Sequence, residues 1–419
     1  MGALCPWSMM VAPSKGATDY NAKKICCTTV ISYDSKVQEN SMRVNRRDFT
    51  RLLAAASAVS VLPASSAAQA TPGRKIRYCA VGLGRITVGH FMPGTRISSL
   101  GEITAVVSGH RAKALKIAAE YGIPATSIYS YEEYDKIQDN PNIDAVYIGL
   151  PNGMHAEYTI RAAKAGKHVL CEKPMANTVD ECEAMIAACR NADRHLMIAY
   201  RCQLEATTLH AQKLVRSGAL GKIEAIESSN GFNIAPGEWR LNRKLAGGGP
   251  LMDVGIYSLN ACRFLTGEEP IYIAAYSSVI DHDGRFEEVE ENLSWTMKFP
   301  SGTVASCTTT YGANMEGFIR LHGSKGSLTL NGFGYQGISL TAKMDNPVKG
   351  GPGQQLNDSE QDKDPSQFKV ESDYFSKCIL SKTKPVPSGE EGLRDMGLMR
   401  KIYESAALNR PSRESTTAS

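Results

Sequence analysis

From Lys75 onward, short apolar runs alternate with segments of helical spacing. Residues 76–81, 102–107, 144–149, 167–171 and 196–200 read as strands, while 111–121, about 155–165 and 178–191 carry helical periodicity. Strands separated by helices at this interval predict a doubly wound parallel sheet of the Rossmann type. The texture changes after about Gln203. A helix to Ser217 precedes long alternating runs at 223–229, 271–279, 292–299 and 303–310, which follow one another too closely for crossover helices. They predict an α+β domain with a large, mainly antiparallel sheet. Residues 346–365, rich in Gly, Pro, Asp and Gln, read as a long exposed loop, and 391–408 as a closing helix.

Before Lys75 the pattern is different. Asn45-Arg46-Arg47-Asp48-Phe49-Thr50-Arg51 precedes an apolar stretch, 52–62, and then Ala68-Gln69-Ala70. Twin arginines, a short apolar region and an A-x-A site make an export signal of the twin-arginine type, which carries folded cargo. The apolar stretch is too short to span a bilayer. Residues 1–41 lack periodicity and precede Met42, a natural start for such a signal, so a misassigned start is one reading of them. The expected division is a leader at 1–70, a nucleotide-binding domain at 71–200, an α+β substrate and oligomerisation domain at 201–410, and a tail at 411–419. Periplasmic localisation follows as an expectation.

Composition adds exclusions. A net charge of +4 over 419 residues gives no reason to expect nucleic acid or a membrane surface as partner. Outside the leader the cysteines form no C-x-x-C pair and no His/Cys cluster at metal spacing, so no metal is expected and the thiols read as buried and free.

Chemistry concentrates in three places. Gly82 and Gly84 follow the first strand directly: Gly82 suits the tight turn, and Gly84 lets backbone approach a pyrophosphate at a helix N-terminus. The third fingerprint position is Thr87 instead of Gly or Ala. Past the second strand the chain reads Ser108-Gly109-His110-Arg111-Ala112-Lys113. The acid that would hold the ribose hydroxyls of NAD is absent, and Ser108, Arg111 and Lys113 can donate to a 2′-phosphate, which favours NADP. The same cations also suit a solvated helix start. Next, Glu172-Lys173-Pro174 falls at the carboxyl edge of a buried strand, where open α/β sheets bind ligands. Last, Gly247-Gly248-Gly249-Pro250 opens a helix on which Asp253 and Tyr257, four apart, share a face. A phenol beside a lysine ammonium has its phenolate favoured, which suits acid–base work on a hydroxyl.

These segments, with Leu150-Pro151-Asn152, His155 and Gly166-Lys167-His168-Val169, stand in the order that resembles the Gfo/Idh/MocA oxidoreductases, over essentially all of 75–410. Val107-Ser108-Gly109 with Lys113, Tyr200-Arg201-Cys202, Trp239-Arg240-Leu241, Gly267-Glu268-Glu269-Pro270 and above all Tyr257 resemble the glucose–fructose oxidoreductase branch. The resemblance implies NADP bound by Gly82, Gly84, Arg85, Ile86, Ser108, Arg111, Lys113, Pro151, Asn152, His155, Glu172, Lys173, Arg201, Trp239, Arg240 and Tyr257. It implies a catalytic triad as well: Lys173 orients the sugar, Asp253 holds a sugar hydroxyl, and Tyr257 takes and returns a proton. The reaction implied is oxidation of an aldose at its anomeric carbon to a lactone, followed by reduction of a second sugar. A homo-oligomer, dimer or tetramer, built through the C-terminal sheet is implied too. Two departures stand out. Only Thr71-Pro72-Gly73-Arg74 separate the expected processing site from Lys75, where the branch carries a long proline-rich arm, and 230–238 differs from it. Two other readings stay open: an NADP-dependent dehydrogenase or reductase with exchangeable cofactor, and a non-catalytic NADP or sugar sensor.

Overall fold

Six apolar strands build the first sheet: β1 (Ile76–Val81), β2 (Gly101–Val107), β3 (Ile128–Tyr129), β4 (Ala145–Ile148), β5 (His168–Cys171) and β6 (Leu196–Ile198). All are parallel, in the order β3-β2-β1-β4-β5-β6. Their side chains are buried on both faces because helices cover both, which is why the strands read as continuous apolar runs. Those helices are α1 (Met92–Arg96), entered through a π-wound turn at Thr87–Phe91, then α2 (Arg111–Tyr121), α3 (His155–Lys164) and α4 (Val179–Asn191). The start of α4 is fixed by a capping box: Thr178 Oγ1 accepts from Glu181 N, and the Glu181 carboxylate accepts from Thr178 N. Strand order reverses on either side of β1, and that switch point opens the crevice in which such sheets bind ligands.

The computed structural model describes residues 73–345, 353–359 and 364–408, all in one compact unit. The twin-arginine leader, its processing site and the tail at 411–419 lie outside the described residues. Among those described, no helix is long and apolar enough to cross a membrane.

The second sheet has eight strands: β7 (Ile223–Gly231), β8 (Tyr272–Ser278), β9 (Asn292–Lys298), β10 (Val304–Thr310), β11 (Met315–Gly323), β12 (Gly326–Asn331), β13 (Ser339–Met344) and β14 (Gln354–Ser359). Their order is β14-β13-β12-β11-β7-β10-β9-β8, antiparallel throughout except for the β7–β10 pair. Leu293, Trp295 and Met297 of β9 point into the core, and the alternate Ser294, Thr296 and Lys298 point out. Helices α5 (Ala206–Arg216), α6 (Ile256–Thr266), α7 (Ser366–Ser381) and α8 (Gly389–Leu408) complete the fold.

Two expectations are corrected. Part of the predicted loop 346–365 is strand: Gln354–Ser359 pairs with β13, because backbone groups beside an open strand edge gain ladder hydrogen bonds whatever their side chains. Helix α7, whose residues fall within the range expected for the second domain, packs into the core of the first. Its Phe368 and Phe375 are buried with Tyr78, Phe91 and Met92.

Candidate active site

The glycine loop leaves β1 at the switch point. Gly82 has φ +83°, and a Cβ there would lie 2.6 Å from Leu150 and 2.8 Å from the Gly149 carbonyl, so only glycine fits. Gly84 is exposed, with nothing nearer than 3.8 Å to a Cβ position, so the loop's outer surface is open to a ligand. The unusual Thr87 is fully buried, and the close approach usually made possible by a small residue there comes from Gly149, whose Cβ would fall 2.3 Å from Thr87 Oγ1. This cradle fits a dinucleotide. At the end of β2, Ser108 is buried and accepts from His110 N, Arg111 donates to the Ile128 carbonyl at 2.9 Å, and Lys113 donates to the Leu83 carbonyl of the glycine loop. Arg111 and Lys113 are exposed beside the loop, in a stretch without an acid.

Lys173 enters from the end of β5 and Asp253 from the π-wound turn Leu251–Gly255 that leads into α6, which carries Tyr257. The structure brings the three together. Lys173 Nζ donates to the Asp253 carbonyl at 2.6 Å, lies 3.5 Å from its Oδ1, and stands 4.6 Å from the centroid of the Tyr257 ring. Asp253 Oδ2 accepts from Arg240 Nε at 2.8 Å and from the Tyr311 hydroxyl at 3.0 Å. Burial opposes charge on Asp253, but Arg240, Lys173 and Tyr311 outweigh it and hold the carboxyl below its ordinary value. Glu172 is pushed the other way by burial, with the Tyr147 hydroxyl donating to it at 2.6 Å.

Tyr257 corrects an expectation. Burial pushes its phenol well above the ordinary tyrosine value, and the opposing influence of Arg201 does not restore it. The group rests as a neutral phenol, because the cost of an anion in a buried wall exceeds the help that nearby cations give.

These groups face a cleft of about 560 Å³, into which Arg85 and Ile86 project from the glycine-loop side and Asn230, Phe232 and Glu238 from the substrate side. Arg85 and Glu238 pair across it at 2.8 Å. A larger hollow of about 900 Å³ behind the triple-glycine loop touches none of Lys173, Asp253 and Tyr257, so the chemistry belongs to the smaller cleft.

Other expected site residues serve the frame. His155 is fully buried, its ring nitrogens 2.9 and 2.8 Å from the carbonyls of Pro174 and Leu150. Asn152, which follows Pro151, donates to the Ala246 carbonyl and joins the triple-glycine segment to the first domain. Arg201 is buried, with its guanidinium bound to Glu205, Gln367 and the Phe333 carbonyl under the Tyr335 ring, so it supports the cleft wall without opening onto the cleft. Trp239 stacks with the Arg240 guanidinium and lines a neighbouring outer hollow. Sequence reasoning missed Tyr311, Phe333 and Tyr335. The glycine–aromatic alternation of Gly332-Phe333-Gly334-Tyr335 was a usable signal, whereas Tyr311 carried none.

Comparison with known proteins identifies the family. Residues 76–200 match the family model of the oxidoreductase family with NAD-binding Rossmann fold, and 208–329 match the GFO/IDH/MocA C-terminal domain. A D-xylose 1-dehydrogenase [NADP(+)] of Haloarcula marismortui is 31% identical over 344 residues, 81% of this chain and 93% of that protein. The solved aldose–aldose oxidoreductase of Caulobacter crescentus, complexed with glycerol, aligns with a TM-score of 0.76 at 45% identity, over 80% of this chain and 99% of that one. A levoglucosan dehydrogenase complexed with NADH and levoglucosan shares the fold, with a TM-score of 0.70 at 23% identity over 80% and 98% of the two chains. With both halves matched in order, and the glycine loop, lysine and tyrosine gathered at one cleft, this chain belongs to the Gfo/Idh/MocA oxidoreductases.

Proposed function

We propose that this oxidoreductase is an NADP-dependent sugar–sugar enzyme, which oxidises an aldose at its anomeric carbon to a lactone and then reduces a second sugar. The observation that carries the reading is the Lys173–Asp253–Tyr257 cluster, set in one cleft with Arg85 and Ile86 of the dinucleotide loop. The 45% identity to an aldose–aldose oxidoreductase supports the aldose class and the return of the hydride to a second sugar. Gly82, Gly84 and the start of the helix after them would hold the pyrophosphate, with Arg111 and Lys113 toward a 2′-phosphate. NADP, when bound, accepts and returns the hydride.

The chain's own groups do the rest. Asp253 keeps Oδ2 engaged with Arg240 and Tyr311, which leaves Oδ1 to accept from a sugar hydroxyl. Lys173 fixes the Asp253 backbone and the Tyr257 ring against each other. Tyr257 exchanges the hydroxyl proton, and Phe232, Phe333 and Tyr335 give the cleft aromatic walls. Export by the twin-arginine route and a homo-oligomer through the open face of the second sheet, where Tyr272 and Tyr276 stand exposed, are parts of the same proposal.

The D-xylose 1-dehydrogenase relative favours a second reading, a dehydrogenase with exchangeable NADP. Absorbance of the purified protein separates the two. Growth of the reduced-nicotinamide band on adding glucose alone, and its loss on adding a second sugar, supports the shuttle. A response only after NADP is supplied supports the dehydrogenase, and silence in both experiments overturns the sugar reading.

A further inference from the structure

The cleft wall that carries Phe333 and Tyr335 hangs on a glycine-rich connection. Residues 332–338 join β12 to β13, and Gly332 and Gly337 both have positive φ. With Gly334 between them, this backbone brings little stiffness of its own. Yet its two rings stand beside the reacting groups. Phe333 stacks on Tyr257 with ring centroids 5.7 Å apart, and Phe333 and Tyr335 line the cleft together with Lys173 and Tyr257. Contacts from outside the connection have to hold them. Arg201 holds the first, through the Phe333 carbonyl.

His90 holds the second. It lies four positions after Ile86, on the π-wound turn that follows the dinucleotide loop, so the two share a face and both line the cleft. His90 Nδ1 donates to Asp364 Oδ2 at 2.9 Å. The Asp364 amide donates to the Tyr335 carbonyl at 3.0 Å. The Tyr335 ring in turn packs on the His90 ring, with centroids 4.2 Å apart. Phe368 of α7 lies beside both, 5.5 Å from the His90 ring and 5.7 Å from that of Tyr335. These contacts close a circuit from the first domain through Asp364 to the cleft wall and back. Asp364 Oδ1 is buried without a partner among the described residues, so His90 is the group that answers this carboxylate.

We propose that His90 is a positioning residue for the sugar: tied to Asp364, it sets where the Tyr335 ring stands and hence the width of the cleft beside Lys173 and Tyr257. The wall is thereby referred to the dinucleotide side of the cleft instead of to its own sheet. His90 takes no part in the proton or hydride transfer and acts through Tyr335. A loosened wall weakens the sugar in the ground state and the transition state alike, which raises KM and spares kcat.

His90→Phe keeps a stacking ring and removes the donor, and Asp364→Ala removes the acceptor. NADP-linked sugar oxidation by the holoenzyme is followed with nucleotide affinity and thermal unfolding measured in parallel. Each variant is expected to raise the sugar KM by about three- to ten-fold, the worth of one hydrogen bond. Both kcat and NADP affinity should stay within about two-fold of wild type. Asp364→Asn still offers an oxygen to Nδ1 and should recover most of the loss. On a Tyr335→Leu background, His90→Phe should add less than about two-fold. If His90→Phe fails to fold, Asp364→Ala decides, because that carboxyl is partly exposed. Wild-type KM in both single variants overturns the proposal. So does an undiminished effect of His90→Phe on the Tyr335→Leu background, which would put the imidazole on the sugar itself. A loss of NADP affinity larger than the rise in KM also overturns it and places His90 at the nucleotide. The inference rests on the sugar-oxidoreductase reading, and a wild-type enzyme inert toward aldoses overturns that reading instead. A crystal of His90→Phe then decides the circuit: a displaced Tyr335 ring supports it, and a ring left in place overturns it.

Discussion

The Lys173 ammonium stands 4.6 Å from the centroid of the Tyr257 ring, and its short hydrogen bond goes to the Asp253 carbonyl. A cation over an aromatic face is attracted to the ring with or without the hydroxyl. Tyr257→Phe should therefore keep the packing, the stacking on Phe333 and the affinity for NADP, while turnover falls by about 10²–10⁴. Steady-state formation of NADPH beside a nucleotide titration checks this. Equal turnover in the variant would remove Tyr257 from the chemistry.

Thr87 and Gly149 divide between them the close packing that a small third fingerprint residue supplies alone. A Cβ on Gly149 would meet Thr87 Oγ1 at 2.3 Å and Tyr147 at 3.0 Å. Gly149→Ala should destabilise by about 1–3 kcal/mol through overpacking. Adding Thr87→Ala should recover part of that loss, because the two sites are in contact and their effects do not add. Urea unfolding of the two single variants and the double variant measures the coupling.

Five strands of the first sheet were legible because a strand buried on both faces is a continuous apolar run, and because Gly82 and Gly84 punctuate the sheet at the ligand edge; the two-residue β3 is too short to show a pattern. The triad was legible as spacing: a lysine at a strand end, and Asp253 and Tyr257 one helical turn apart. Strands β11 to β14 were not. In β11, Glu316, Arg320 and His322 lie on the open side of the sheet and dilute the apolar alternation, although Gly323 and Gly326 flank a two-residue turn. Helix α7 escaped notice because its inward side carries Gln367, Glu371, Ser372 and Ser376 beside two phenylalanines. Arg201 shows the limit from another side. Tyr-Arg-Cys reads the same whether the guanidinium opens onto a cleft or is bound beneath the Tyr335 ring. Tyr311 reaches Asp253 only through the placement of β10, which spacing along the chain does not encode.

Arg240 governs the charge on Asp253. The carboxyl is held below its ordinary value, so its contribution to stability is present at neutral pH and is lost as pH falls through that depressed value. Arg240→Gln removes the strongest of the groups holding it down, and the folded value rises toward that of the unfolded chain, about 3.9. The variant should be less stable at neutral pH, with a shallower further loss of Tm on acidification below about pH 4. It should also raise KM for the sugar, because Asp253 Oδ2 is no longer anchored. Thermal unfolding across the acid range tests the first part and sugar saturation kinetics the second. A variant whose acid loss is as steep as that of wild type contradicts the assignment.

Arg111 and Lys113 stand beside the same loop but are tied differently, which makes nucleotide choice separable. Lys113 donates to the Leu83 carbonyl and so shapes the glycine loop itself. Arg111 donates to the Ile128 carbonyl, away from the loop, and keeps other donors free for a 2′-phosphate. Arg111→Ala should weaken NADP by about 10–100-fold, the worth of one charge-assisted hydrogen bond, and leave NAD nearly unchanged. Lys113→Ala should weaken both nucleotides, because it loosens the cradle that their shared pyrophosphate occupies. Fluorescence titration of each variant with NADP and NAD distinguishes the two effects. Equal losses for both nucleotides in Arg111→Ala would place the 2′-phosphate elsewhere.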